Sequence, residues 1–379
     1  MIGLIGAGRL GICLALLLEE AGYELLVSDV RTSYVHNLNQ KFIASPEPEV
    51  ADRLKASKNI TATDNNFEVI EKCDTIFTVV ATPSHEDGSY NVDAVWDVVE
   101  DFRHCEFDVS GKTLIVCCTT NPGDCDEFAA ELNPLGVDVF YNPEFIAQGS
   151  IIRDLQRADM VLIGGPETPI RDELTKIYND IQVTEPKINF MTAKAAEIVK
   201  IATNCFLTTK ISFANMLGQV MTKAGLHKEI STVLGAIGDD SRIGRKFLNF
   251  GYGYGGPCLP RDNRAYAAYA TELGLEYNLG DTTDNFNKEH SKFLRDFFIK
   301  QNKKNLPFSF DYITYKKGTD IMTESSQFKL ATDLLDAGCT VYIDDREDVI
   351  KGVEDYLVAM YDDRVRFGPV TEEVFAVEL

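Results

Sequence analysis

Ile2-Gly3-Leu4-Ile5-Gly6-Ala7-Gly8-Arg9-Leu10-Gly11 opens the chain and decides how the rest is read. Ile2 to Ile5 is a short apolar strand that runs directly into G-x-G-x-x-G. Ile12 to Glu20 reads as a helix closed by Gly22, and Tyr23 to Ser28 as a second strand ending at Asp29. Strand, glycine turn, helix, strand and acid in this order are the context a dinucleotide-binding turn requires. Gly6 permits the tight turn, Gly8 lets backbone approach a pyrophosphate, and Gly11 lets the helix pack close to the strand. Arg9 and Leu10 stand between those glycines, at the helix N-terminus that holds the phosphates. Asp29 is placed to accept hydrogen bonds from the adenosine ribose, and its charge repels a 2′-phosphate. NAD is therefore expected over NADP, with Arg31 leaving NADP open.

The alternation continues outward from this turn. Thr75 to Val80 is a strand ending in Ala81-Thr82-Pro83. Thr113 to Cys118 ends in Thr119-Thr120-Asn121-Pro122, and Val137 to Tyr141 ends in Asn142-Pro143-Glu144-Phe145. Helical stretches such as Val92 to Phe102 lie between them, so a doubly wound parallel sheet is expected. Ligands of such sheets bind beyond the carboxyl ends of the strands, where Thr82, Thr119 and Glu144 stand. Each of the three also suits a turn or cap; Pro143, which fixes the backbone before Glu144, favours a site role there.

Bulk composition narrows the class. The 379 residues are 45% hydrophobic and 25% charged, a globular composition with room for two or three domains. The net charge is −22, which argues against nucleic-acid or anionic-membrane partners. Nine cysteines, none in C-x-x-C, and five histidines make a metal site unexpected. Scattered single cysteines suit a reducing cytoplasm. Met1 leads straight into a strand, leaving no room for a targeting peptide, and no apolar run is long enough to span a bilayer.

Ala193 to about Ala224 has helical periodicity without proline, with Thr192 as an N-cap and Gly225 as a C-terminal stop. A helix this long bridges domains or forms a subunit interface. Lys200 and Asn204 share one face among Ile198, Val199, Ile201 and Ala202. Such a pair can donate to a developing oxyanion, or can be a snorkelling lysine and a surface amide. Downstream, Gly251-Tyr252-Gly253-Tyr254-Gly255-Gly256-Pro257-Cys258-Leu259-Pro260-Arg261-Asp262 sets a cysteine after a glycine-rich stretch, four residues before an aspartate. A nicotinamide site combined with a nucleophilic thiol suits an alcohol oxidised past the aldehyde to the acid. The glycines 251 to 256 can cradle a diphosphate. Lys210, Arg242, Arg245, Lys246 and Arg261 supply the basic cluster an anionic ligand needs, or form a solvated charged loop. His290 to Lys303 is an amphipathic helix, Phe310 to Thr314 a strand, Phe328 to Asp336 a helix and Cys339 to Ile343 a strand, a smaller α/β unit without a glycine fingerprint.

Five segments in order resemble the nucleotide-sugar dehydrogenase family: the opening turn, Asn142-Pro143-Glu144-Phe145, Lys200 to Asn204 with Lys210-Ile211-Ser212-Phe213, Asp240-Ser241-Arg242-Ile243-Gly244, and Gly253 to Asp262. The resemblance implies two Rossmann-like doubly wound domains joined by a long central helix. It places an NAD domain at 1–190, a central helical dimerisation and substrate region at 191–290, and a C-terminal nucleotide-sugar domain at 291–379. It implies a homodimer and a four-electron oxidation: a nucleotide sugar, two NAD and water give the uronic acid and two NADH.

UDP-glucose is the first substrate expected. GDP-mannose, a UDP-N-acetylhexosamine or a two-electron β-hydroxyacid oxidation are the alternatives, as is a nucleotide-binding protein without catalysis. Carried over by position, Cys258 is the nucleophile, Lys200 and Asn204 stabilise oxyanions, and Asp262 assists proton transfer. Thr119 and Glu144 position and activate water. Phe145, Ile146, Gln148, Phe247, Asn249, Tyr252 and Gly255 join the substrate set, Arg242 reaches the neighbouring subunit's substrate, and Lys316 serves from the C-terminal domain. Gln148 and Met216 stand where glutamates are common and Thr323 where an arginine is expected, and the tail after Ile343 is short.

Overall fold

β1 (Ile2–Ile5) is buried along its whole length, as are β2 (Leu25–Ser28), β4 (Thr75–Thr78) and β5 (Thr113–Val116). Continuous apolar strands of this kind belong to a parallel sheet covered on both faces. The computed structural model describes residues 1–379 and supplies that sheet. With β3 (Ile60–Thr63), β6 (Asp138–Tyr141), β7 (Met160–Gly164) and β8 (Lys187–Met191), the order is β3-β2-β1-β4-β5-β6-β7-β8. All neighbours are parallel except β6 and β7. The first six strands in the order 3-2-1-4-5-6 form the two mononucleotide-binding halves of a Rossmann sheet.

Alternate residues of each strand feed opposite faces. Leu4, Val27, Phe77, Ile115 and Phe140 pack with the first helix, Arg9–Glu20, on one side. Ile5, Leu26, Ile76, Leu114 and Val139 build the core on the other side, with Val98, Phe102 and Phe128 from the covering helices.

The chain forms two compact units, Met1–Lys200 and Ile201–Leu379. The helix Ala193–Lys223 runs through the boundary without a break, and Gly225 ends it at φ +79°. The second unit contains the helices Leu259–Glu272 and Leu279–Gln301. It also holds a smaller all-parallel sheet, in the order β11-β10-β9-β12. Its strands are β9 (Phe308–Phe310), β10 (Val341–Ile343), β11 (Val365–Phe367) and β12 (Phe375–Ala376). Phe308, Phe310, Leu330, Leu334, Val341, Ile343 and Leu357 fill its core. No helix is long and apolar enough to cross a membrane.

The expected α/β architecture with a long central helix is present, with several boundaries moved. The first helix begins at Arg9, inside the glycine fingerprint, and not at Ile12. The strand expected at Phe310 to Thr314 is Phe308–Phe310. Beyond it the backbone leaves the sheet, and Ile313 N donates to Asp345 Oδ2 at 2.8 Å. The helix expected from His290 starts at Leu279, where Asn278 caps it by accepting from Asp281 N at 2.8 Å.

Candidate active site

The opening turn has the steric form a dinucleotide needs. Gly6 sits at φ +97°, and a Cβ there would lie 2.5 Å from the Val79 carbonyl oxygen. A Cβ on Gly11 would fall 2.1 Å from the Gly6 carbonyl oxygen, so helix and strand meet only through glycine. At Gly8 a Cβ would meet no atom within 4 Å; the open side of this residue is where a pyrophosphate must approach. Gly8 caps the first helix without a side-chain hydrogen bond, leaving that helix end suited to an anion. These features fit NAD.

Asp29 follows β2, and both of its carboxylate oxygens accept from Arg31, Nε at 2.8 Å and Nη2 at 2.9 Å. Arg31 also lies 4.2 Å over the Tyr34 ring. Arg9 donates to Gln148 Oε1 at 3.3 Å and lies 3.6 Å from the buried Glu47 carboxylate. The cofactor turn is thereby linked to the loop after β6. Leu10 packs against the core, and Thr82 is buried beyond β4.

In the first unit the loop after β6 is anchored before it reaches Glu144. Asn142 N donates to Val116 O, and its Nδ2 donates to Leu162 O, both at 2.8 Å. Lys200 is buried and donates from Nζ to the Glu144 carbonyl oxygen at 2.7 Å, with the Phe145 ring centroid 4.8 Å away. A snorkelling lysine, whose charged head reaches water, does not fit this burial.

The Glu144 carboxyl, hemmed in by protein though reachable at one edge, has its pKa raised to about 7. Burial raises it, while the Tyr178 hydroxyl and the Lys200 charge pull the other way. Ile146 and Gln148 are half-buried in the same loop, and Thr119 is half-buried after β5.

Two residues absent from the sequence reading complete this arrangement. Glu197, fully buried one turn before Lys200, accepts from Thr120 Oγ1 at 2.8 Å, Gly123 N at 2.6 Å and Cys125 N at 3.0 Å. It pins the Thr119 loop to the central helix. A single acid in an apolar helical run was a legible signal for it. Tyr178 donates to the Glu144 carboxylate at 2.6 Å from the helix Ile170–Ile181. There it occupies an ordinary apolar position, and nothing in the local sequence marks it.

In the second unit Cys258 is the N-cap of Leu259–Glu272, with Asp262 one turn into that helix. Asp262 is buried, and its Oδ2 accepts from Asn204 Nδ2 at 2.5 Å. The amide at 204 therefore belongs with the carboxylate at 262.

The glycine stretch before Cys258 has no regular structure, so its backbone carbonyls need other partners. Four successive ones are taken by side chains of the surrounding helices. Gly251 O accepts from His290 Nε2 at 2.8 Å, and Tyr252 O from Asn215 Nδ2 at 3.2 Å. Gly253 O accepts from Ser326 Oγ, and Tyr254 O from Asn287 Nδ2, both at 2.9 Å. His290 is fully buried and its pKa is lowered by that burial, so it serves as a neutral ring that also meets Gln219 Nε2 at 2.9 Å. At Gly255 a Cβ would stand 2.3 Å from the Glu324 carbonyl oxygen, and at Gly256, φ +83°, 2.5 Å from the Tyr315 ring. These glycines are required by close packing as well as by conformation.

The remaining candidates are less concentrated. Arg242 is exposed and doubly paired with Asp240 on its own loop, and Arg245 pairs with Asp239. Part of the expected basic cluster is thus neutralised by adjacent acids. Lys210 Nζ donates to Ile243 O at 3.1 Å. Phe247 is exposed at φ +61° and Asn249 is exposed. Tyr252 is half-buried, its hydroxyl 3.4 Å from Val377 O. Lys316 is half-buried, and its carbonyl receives the Thr319 hydroxyl at 2.7 Å. The structure brings Glu144, Phe145 and Lys200 together in one unit and Asn204, Cys258 and Asp262 in the other. Lys200 and Asn204 lie one turn apart on the helix common to both.

A Rossmann sheet with this turn, and a second unit presenting a cysteine at a helix N-terminus, define an NAD-binding dehydrogenase class. Residues 1–182 match the NAD-binding domain and residues 194–289 the central domain of the UDP-glucose/GDP-mannose dehydrogenase family, to which this chain belongs. NAD is the family's cofactor. A UDP-glucose 6-dehydrogenase of Rhizobium meliloti is 30% identical over 355 residues, 90% of this chain and 80% of the relative. The solved UDP-glucose dehydrogenase of the hyperthermophilic archaeon Pyrobaculum islandicum matches with a TM-score of 0.83 at 25% identity, over 97% of this chain and 86% of that one. A UDP-D-ManNAc dehydrogenase from Pyrococcus horikoshii shares the fold, with a TM-score of 0.77 at 21% identity over 90% and 83% of the two chains.

Proposed function

We propose that the protein oxidises UDP-glucose to UDP-glucuronate in two successive NAD-dependent steps, with Cys258 carrying the intermediate. The observation that carries this reading is the helix Leu259–Glu272, which sets Cys258 at its N-cap and the Asp262–Asn204 pair one turn on. Bound NAD supplies the hydride acceptor for both oxidations. Asp262 takes the proton of the C6 hydroxyl during the first oxidation. The Cys258 sulfur then adds to the aldehyde carbon and forms a thiohemiacetal. The positive end of the helix favours negative charge on that sulfur. Loss of a second hydride from this carbon leaves a thioester. Lys200 and Asn204 offer N–H donors to the oxyanions of both stages. Water held by Thr119 and Glu144 attacks the thioester, Glu144 takes its proton, and the thiolate departs. The balance is one CH2OH and one water to one carboxylate, with two hydrides passed to two NAD in turn and three protons released.

The residue set 1–190 binds NAD in this reading, 191–290 supplies the thiol and the dimer helix, and 291–379 serves the nucleotide. The dimer is supported by the central helix, whose Phe206, Phe213, Met216 and Val220 are 65%, 43%, 46% and 56% exposed. Three of them recur at seven-residue spacing, the seam of a helix pair. A cytoplasmic location fits nine cysteines without a disulfide.

The test is the amount of NADH formed per UDP-glucose, with sugar limiting and NAD in excess. Two NADH and an acidic product are expected, and Cys258→Ser is expected to lose steady-state turnover. One NADH per sugar, or a Cys258→Ser enzyme with normal turnover, overturns the thioester route. No NADH with UDP-glucose but turnover of GDP-mannose or a UDP-N-acetylhexosamine moves the substrate and keeps the chemistry.

A further inference from the structure

The carboxyl of Glu144 meets a hydroxyl that has two acceptors and one proton. Tyr178 is 2% exposed, and its oxygen lies 2.6 Å from Glu144 Oε1 and 2.5 Å from Asn142 Oδ1. The Asn142 amide cannot invert to help, because its Nδ2 is committed to Leu162 O at 2.8 Å. Asn142 Oδ1 therefore faces Tyr178 as an acceptor only. A phenol proton directed at Asn142 leaves a lone pair toward Glu144, which suits a protonated carboxyl that donates. A phenol proton directed at Glu144 suits the carboxylate. Rotation about a single C–O bond thus satisfies either protonation state of Glu144 on its buried side, where Tyr178 is 2% exposed.

We propose that Tyr178 is a positioning residue whose hydroxyl rotates between Asn142 and Glu144, so that Glu144 both takes and releases the proton of the hydrolytic water. This rests on the reading of Glu144 as the proton acceptor in thioester hydrolysis. No covalent bond forms at Tyr178, and its proton is redirected without leaving the residue.

The charged and titratable groups facing this carboxyl are few. Lys200 on the central helix favours the carboxylate, and the buried Cys117 thiol beyond β5 faces both Glu144 and Tyr178. Cys117 and Tyr178 are held well above their ordinary pKa by burial, so both are neutral while Glu144 titrates near 7. Loss of the hydroxyl removes a donor to the charged form, and a hydrogen bond to a charged group outweighs one to a neutral group. The Glu144 pKa must then rise.

The experiment is single-turnover decay of the enzyme-bound thioester against pH, read by intact mass, in wild type, Tyr178→Phe and Glu144→Gln. Tyr178→Phe should move the acidic limb of hydrolysis up by about one pH unit, a tenfold change in proton affinity, with the KM for sugar unchanged. Replacement of Tyr178 by 3-fluorotyrosine, a stronger donor of nearly equal size, should move the limb down, and this variant decides if Tyr178→Phe fails to fold. Isotope-edited infrared titration of the Glu144 carboxyl, without turnover, should show the same two displacements. Limbs and titration unmoved in both variants overturn the proposal, as does a uniform rate loss at every pH, which is what a packing role predicts. If Glu144→Gln hydrolyses the thioester normally, the role of Glu144 falls, whatever Tyr178 does to its titration.

Discussion

Two glycines three residues apart in the opening turn answer to different demands, and their replacement separates folding from cofactor binding. A methyl at Gly11 would press on the Gly6 carbonyl oxygen at 2.1 Å, backbone against backbone, with no side chain able to yield. Gly11→Ala should therefore cost stability, roughly 3 kcal/mol at the upper end of overpacking effects, read as a lower urea midpoint. Gly8 has φ −65°, which alanine adopts readily, and a methyl there would touch no protein atom within 4 Å. Gly8→Ala should leave the urea midpoint in place and raise the KM for NAD about tenfold or more, a loss of some 1.4 kcal/mol. Equal destabilisation by both would mean that Gly8 serves the fold and not the pyrophosphate. Glu144 shows the other kind of residue-scale demand. Burial raises its pKa to about 7 against the pull of Tyr178 and Lys200, so hydrolysis that needs the carboxylate should fall as pH drops through that value. The same burial disfavours the charged form in the folded protein, so its contribution to stability is full below the ordinary glutamate range and is lost as pH rises toward 7.

At the scale of elements, the central helix presents a buried polar pair on one face and an exposed apolar stripe on another. Its 31 residues span about 46 Å. Lys200 and Asn204 lie buried near its start, while Phe206, Phe213, Met216 and Val220 expose apolar surface along the part that follows. Phe213→Lys with Val220→Lys should convert the proposed dimer to a monomer by light scattering, at little cost to monomer folding because both side chains are exposed. An unchanged mass would move the interface elsewhere.

This helix was legible to within a residue of its end, because its periodic run is long and Gly225 stops it. β1 was legible to the residue, because it is apolar throughout and a glycine turn follows. β8 was not, since Lys187 and Phe190 face solvent and the strand shows no buried pattern. β3 alternates over only four residues, and β12 has two. The thiol and its aspartate were visible as a motif, and the pairing of Asp262 with Asn204 follows from tertiary packing alone. Tyr178 reaches Glu144 across 34 residues of sequence, a distance over which periodicity carries no information, whereas Glu197 stood in plain view as a lone acid among apolar neighbours.

At the scale of the whole molecule, the charge works against the ligands. Thirty-seven basic and 59 acidic residues leave −22, while NAD and a nucleotide diphosphate sugar are both anions. Local basic residues offset this only partly, because Arg242 is paired with Asp240 and Arg245 with Asp239. The protein's field reaches about 30 Å at 0.01 M salt and about 8 Å at 0.15 M, so repulsion at a distance is screened over that interval while contacts within the site are not. The KM for both ligands should accordingly fall, by about threefold, as inert salt is raised from 0.01 to 0.15 M, with kcat unchanged. Light scattering in the same solutions must show a constant mass, since screening would also favour association of two acidic chains. A KM for the sugar that rises with salt, while that for NAD falls, would locate a local positive field at the sugar site alone. Lys210, Lys246 and Arg261 would then outweigh the acidic surface there, and each replaced by glutamine in turn should flatten the salt dependence in proportion to its share.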